Sequence, residues 1–226
     1  MPFPPGKTLI APSILSADFA RMGEECSHIL AAGGDLLHLD VMDGHFVPNL
    51  TMGPDLCRGL RRALPNAYLD VHLMVTDPGQ YVEAFAKAGA NNFTFHVEVV
   101  EPGAIGALRD RVKAAGMDAG LAINPPTPVE RILPHVAGFD LLLVMSVNPG
   151  FSGQAFIGSV LEKTRLVRRA IGPLSPGGPR VQMDGGISPL NAGQVREAGC
   201  DVLVAASALF GKPAGERAGV ISQLRG

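Results

Sequence analysis

The chain has only three cysteines, Cys26, Cys57 and Cys200, far apart and with no CxxC pair. Neither a disulfide framework nor a thiolate zinc site is therefore expected. No uninterrupted apolar run reaches the ~20 residues of a membrane helix, and the first residues, MPFPPGK, lack the basic-then-apolar pattern of a secretory signal. The expectation is a cytoplasmic protein with no membrane partner. Neither sign of charge is in excess: 19 Lys and Arg against 21 Asp and Glu give a net charge of −2. That offers no electrostatic footing for nucleic acid, so an anionic ligand would have to be held by local geometry. No GxxxxGK[ST] phosphate loop occurs, and APSILSADF, where a dinucleotide fold would place its glycine-rich turn, has no glycine.

A core can be built, since 46% of the residues are hydrophobic and 18% charged, a balance that argues against disorder. Short apolar runs recur over 9–14, 35–41, 67–75, 92–97, 118–124, 140–147, 180–186 and 201–206. Helix-like stretches such as FARMGEECSHILAAG and GQYVEAFAKAG lie between them, several ending in Ala-Gly, where a helix C-terminus favours a left-handed residue. Strands alternating with helices over short loops predict a parallel sheet. Eight such units in 226 residues predict one (β/α)8 barrel domain spanning 1–226. The proline- and glycine-rich stretch GPLSPGGPR is too short for an interdomain linker.

In such a barrel, chemistry belongs at the C-terminal ends of the strands. The second strand carries His38 and Asp40 in HLD, two residues apart and hence on one side. A lone His-X-Asp pair is more often a hydrogen-bonded structural pair. Here Ser13, His72 and Asp184 end the first, third and seventh strands, so two imidazoles and two carboxylates converge on one point. This nitrogen and oxygen set suits zinc, iron, manganese or cobalt. Asp70 shares a face with His72 but sits deeper and reads as structural. Asp43 reads as a turn-former, His28 as a surface helical residue, and His96 as a packed, hydrogen-bonded histidine. Loops follow the last three strands, NPGFSGQ at 148–154, MDGGI at 183–187 and AASALF at 205–210, the first two bearing glycine. The last two are where barrels of this class hold phosphate on backbone N–H groups. No lysine stands at a strand end to form a Schiff base.

HLDVMDGHFVPN, LDVHLMV, FHVE, NPGFSGQ and QMDGGI, in this order, resemble the ribulose-phosphate 3-epimerases, over about nine-tenths of the chain. The resemblance implies a TIM barrel of the ribulose-phosphate-binding type. It would interconvert D-ribulose 5-phosphate and D-xylulose 5-phosphate of the pentose phosphate pathway at one divalent metal ion per subunit. It implies His38, Asp40, His72 and Asp184 as metal ligands, with Asp40 and Asp184 as the acid/base pair on opposite faces of carbon 3. Ser13, His72 and Asp184 would touch the substrate, as would Gly150, Phe151, Ser152 and Gly153. Gly185, Gly186, Ala206 and Ser207 would hold its phosphate end. Met42, Met74 and Met145 would shield an enediolate from water. Homo-oligomers are expected on the same ground. Ser152 and Ala206 stand where that family usually has glycine, so a positive φ at either position would bring strain. The alternatives are an allulose-6-phosphate 3-epimerase and, from another class, a metal-dependent hydrolase or a non-catalytic phosphate-binding barrel.

Overall fold

A computed structural model describes every residue except Pro2 and Pro5. The apolar runs become eight strands: β1 (Leu9–Pro12), β2 (Leu37–Met42), β3 (Leu69–Met74), β4 (Asn92–His96), β5 (Asp118–Ile123), β6 (Leu141–Met145), β7 (Arg180–Asp184) and β8 (Val202–Ala205). All ladders are parallel, in the order β1-β8-β7-β6-β5-β4-β3-β2. Burial runs unbroken along β1, β2, β3, β4, β6 and β8, which is why their sequences read as continuous apolar runs rather than alternations. The seam between β1 and β2 is drawn together by a parallel bridge between Ser13 and His38 and by the Asp35 N–H on the Ile10 carbonyl at 2.9 Å. The sheet is therefore a nearly closed barrel.

The outer layer comprises α1 (Met22–Ala31), α2 (Pro54–Ala63), α3 (Val82–Ala88), α4 (Ile105–Ala114), α5 (Val160–Ile171), α6 (Ala192–Glu197), α7 (Ser207–Phe210) and α8 (Arg217–Arg225). α3 shows how these helices stop. Gly89 adopts a left-handed φ of 88°, and the Ala90 N–H returns to the Phe85 carbonyl at 3.0 Å. The expected alternation fails once. Between β5 and β6 only two short 3-10 turns occur, Val129–Arg131 and Leu133–His135. The segment NPPTPVERILP carries four prolines, whose missing N–H groups stop a helix from propagating.

The register places the chemistry. β2 and β3 align His38 with Asp70 and Asp40 with His72, so two mixed pairs stack along adjacent strands. β6 and β7 align Met145 with Asp184. Gly120 of β5 lies opposite Thr94 of β4, and a Cβ there would fall 2.0 Å from the Thr94 hydroxyl oxygen. Gly120→Ala is expected to destabilise the fold by about 1–3 kcal/mol through overpacking. Thr94→Ala in the same chain should recover part of that loss in urea denaturation, and a double mutant as unstable as the sum of the single changes would refute the clash.

Candidate active site

His38, Asp40, His72 and Asp184 each offer one donor atom, and these atoms lie within 4.8 Å of one another. His38 Nε2 is 3.3 Å from Asp40 Oδ1 and 4.0 Å from Asp184 Oδ2. His72 Nδ1 is 3.1 Å and 3.8 Å from the same two oxygens, and the two imidazole nitrogens are 3.4 Å apart. A tetrahedral ion with bonds of about 2.0–2.2 Å would hold its donors roughly 3.3–3.6 Å apart. The cluster fits such an ion with little rearrangement, so this buried group can bind a metal.

Its charges point the same way. Burial alone would push the His38 imidazole down, but the Asp40 and Asp70 carboxylates override it and hold it well above the ordinary value. Burial and the neighbouring Asp40 push the Asp184 carboxyl up to about 7. Burial would also raise Asp40, yet His38 and His72 hold it far below the usual carboxylate range. His72, buried first of all, is lowered to about 4. Without a cation, protons on His38 and Asp184 therefore offset the carboxylates, and a divalent ion would displace them.

Each imidazole is tied from behind. His38 Nδ1 lies 2.8 Å from Asp70 Oδ2, and Asp70 also accepts from the Asn92 and Gln182 amides, each at 2.7 Å. Asp70 thus has the structural place expected of it, as His38's orienting partner. His72 Nε2 lies 2.8 Å from His96 Nε2, and His96 Nδ1 lies 3.1 Å from Glu98 Oε2. Burial would raise Glu98, but His96, Thr127 and the Asn124 N–H outweigh it and lower it to about 2. Sequence reasoning missed Asn92, Gln182 and Glu98. The one available signal was polar residues inside otherwise apolar strands, together with the FHVE stretch.

The other expected residues surround a pocket above the cluster. Ser13 donates to Asp40 Oδ2 at 2.5 Å. Met42, Met74 and Met145 line the pocket and are almost fully buried. Gly150, Phe151, Ser152 and Gly153 form the rim, with Phe151 56% exposed, and the Asn49 amide donates to the Gly150 carbonyl at 2.8 Å. Gly185, Gly186, Ala206 and Ser207 close the far side. Gly186 has φ 62°, and a Cβ there would meet the Gln154 carbonyl oxygen at 2.8 Å, so the β6 and β7 loops touch backbone to backbone. No non-glycine residue among those described has positive φ, so Ser152 and Ala206 bring none of the expected strain. His28 is exposed on α1. Asp43 caps its own turn, accepting from the His45 and Phe46 N–H groups at 2.8 and 2.9 Å.

Residues 9–210 match the ribulose-phosphate 3 epimerase family. The ribulose-phosphate 3-epimerase of Serratia marcescens is 48% identical over 207 residues, covering 92% of this chain and 97% of that protein. That of Escherichia coli K12 is 48% identical over 91% of this chain and 90% of its own length. The cytoplasmic isoform of Oryza sativa subsp. japonica is 45% identical over 96% and 92%. Among solved structures, 3-keto-L-gulonate-6-phosphate decarboxylase from Vibrio cholerae superimposes with a TM-score of 0.73 at 17% identity, covering 97% of this chain and 96% of that one. A 3-hexulose-6-phosphate synthase from Salmonella typhimurium gives 0.71 at 18%, covering 96% of each. These two likenesses concern the fold.

Metal uptake should depend steeply on pH. Asp184 at about 7 and the raised His38 hold protons below those values and must release them to a cation. Zinc affinity should therefore fall as pH drops from 8 to 6, by up to roughly tenfold per pH unit for each proton displaced. Titration calorimetry in buffers of different ionisation enthalpy would show the released protons; pH-independent affinity would contradict the arrangement.

Proposed function

The chain belongs to the ribulose-phosphate 3-epimerase family, and from that premise we propose that it inverts carbon 3 between D-ribulose 5-phosphate and D-xylulose 5-phosphate, with residues 1–226 acting as one catalytic domain. The observation that carries the mechanism is the convergence of two carboxylates from separate strands, Asp40 of β2 and Asp184 of β7, on one pocket beside His38 and His72. Two carboxyl groups that reach a substrate from different strands can serve as base and acid on its opposite faces.

His38, Asp40, His72 and Asp184 would hold one divalent ion of the zinc, iron, manganese or cobalt class. When bound, that ion supplies a Lewis acid where enediolate charge develops. Asp40 takes the proton from carbon 3 on one face, and Ser13 holds its carboxylate in place from Oδ2. Asp184 delivers a proton to the opposite face, and the roles exchange in reverse. Met42, Met74 and Met145 offer no exchangeable proton beside the reacting carbons and keep water from protonating the intermediate. The rim Gly150–Gly153 would close over the sugar. The backbone at Gly185, Gly186, Ala206 and Ser207 would take the phosphate, which accounts for anion binding by a chain of net charge −2. A cytoplasmic homo-oligomer completes the proposal. No described helix is long and apolar enough to cross a membrane, and sedimentation of the purified protein checks the assembly.

Ribulose 5-phosphate turned over in deuterated water should gain deuterium at carbon 3, and chelation should abolish this. Asp40→Asn and Asp184→Asn should each lose about 10²–10⁴ in turnover, with bound metal quantified in the same samples. Full activity in either variant would refute the paired roles. A wild type inert toward this sugar but active on a six-carbon ketose phosphate would move the substrate assignment.

A further inference from the structure

The loop over the pocket, NPGFSGQ at 148–154, is bonded to itself and to the rest of the barrel at a single point. The Gln154 amide donates to the carbonyls of Asn148 and Phe151 at 2.7 and 2.8 Å, so the loop holds together as one piece. Among the described residues, its one hydrogen bond to another segment comes from Asn49, in the loop after β2, whose amide donates to the Gly150 carbonyl at 2.8 Å. We propose that Asn49 is a positioning residue that latches this rim shut, and that its bond breaks and re-forms each time a sugar phosphate enters or leaves. The proposal rests on reading the pocket as the site of epimerisation.

The Asn49 amide can point only one way. Its Oδ1 accepts the Leu50 N–H at 2.9 Å, which leaves Nδ2 for Gly150. A flipped amide would set two oxygens against each other at Gly150 and two N–H groups against each other at Leu50. On the other side of the bond, Gly150 is buried, and with φ 133° it lies so that a Cβ would meet Val47 and Pro48 at 3.6 and 3.7 Å. The rim therefore packs on the β2 loop where the latch holds it.

That β2 loop is a braced post. Asp43 Oδ2 accepts from the N–H and hydroxyl of Thr76, just past β3, at 2.8 and 2.9 Å, and the Gly44 N–H bonds the Asn49 carbonyl at 2.9 Å. At its base the Thr51 hydroxyl donates to the Asp40 carbonyl at 2.5 Å and accepts the Met42 N–H at 3.0 Å. None of these bonds uses the Asn49 side chain, so a substitution there leaves the post standing. The latch thus joins the strand that bears Asp40 to the loop above the pocket. Neither end of it belongs to the substrate, so it favours closure with or without one. Its loss should speed entry and release together and leave KM within about twofold of wild type.

Chymotrypsin cleaves after exposed phenylalanine, and cleavage at Phe151 of the native enzyme, followed by mass spectrometry, reads the open fraction of the rim without reference to activity. Asn49→Asp keeps the acceptor for the Leu50 N–H but has no proton to donate, whereas Asn49→Gln keeps a donor on a longer arm. Cleavage should rise about 2–10-fold in Asn49→Asp and Asn49→Ala, the worth of one neutral hydrogen bond, and less in Asn49→Gln. A purely turn-forming role gives the opposite order, with Asp nearer wild type than Gln. In epimerisation of ribulose 5-phosphate, KM should stay within about twofold and kcat should not fall. Unchanged cleavage in Asn49→Asp, the reversed order, or a fall in kcat without extra cleavage would overturn the latch. Thermal denaturation checks folding, and should Asn49→Asp be unfolded, Asn49→Ala against Asn49→Gln decides. A wild type inert toward ribulose 5-phosphate whose rim still opens in Asn49→Asp would overturn the substrate reading and leave the latch standing.

Discussion

Three carboxylates within the barrel, Asp40 and Asp70 buried and Asp184 largely so, impose the constraint from which the upper half of the structure follows. Ionised groups taken from water without partners are expensive, so each must meet positive charge or donors inside the fold. Asp70 is answered by His38, Asn92 and Gln182, and Asp40 by Ser13, His38 and His72. Asp184 has only the distant edges of the two imidazoles, 4.0 and 3.8 Å away. That shortfall is why its carboxyl is raised by burial and by Asp40, and it is also what a cation would correct. Structural economy and reactivity thus meet in one residue.

Parallel register turns this requirement into geometry. Opposing His38 with Asp70 and Asp40 with His72 puts an acid beside a base on each rung of the β2–β3 ladder, so no two carboxylates face each other across it. A slip of one residue would turn the whole set to the outer, apolar face of the barrel. The polar set extends below the mouth because His38 needs Asp70 and Asp70 needs its two amides. The amide oxygens of Asn92 and Gln182 find no hydrogen-bond partner within the protein. Their donors are spent on the carboxylate, and the acceptors are left over.

Much of this was legible in the residues. Parallel strands buried on both faces read as unbroken apolar runs, so DLLHLDV and DLLLVMSV stood out as strands, and polar letters within them stood out as exceptions. Asp184 ends β7 and Ser13 follows β1, while His38, Asp40 and His72 lie within β2 and β3, short of the ends that the apolar runs suggested; the face they share still brought them together. Alternation misled between β5 and β6, where Pro125, Pro126, Pro128 and Pro134 carry a turn signal that outranks the expected helix. Glu98 was missed for another reason: it lies past β4 in a 3-10 turn, where an acidic residue looks like any exposed loop residue. Only the three-dimensional path of His96 reveals its use. The strain anticipated at Ser152 and Ala206 depended on φ, which residue type alone does not give, and at both positions φ is not positive.

The same logic distinguishes the two histidines that the sequence presents as equivalents. His38 has a carboxylate behind it and carboxylates before it, so its charge is favoured in the absence of a cation. His72 has an imidazole behind it, which contributes orientation with no negative charge, and burial keeps His72 neutral. A pocket in which both imidazoles were backed by carboxylates would hold two positive rings with facing nitrogens 3.4 Å apart and repel the very cation its donors suit. Backing one imidazole with Asp70 and the other with His96 keeps one ring neutral beside the other's charge. Glu98 retains its negative charge behind His96, where its side chain is 17% exposed and hydration helps to stabilise it. Placing that charge one imidazole further from the centre moderates the field at Asp40 and Asp184.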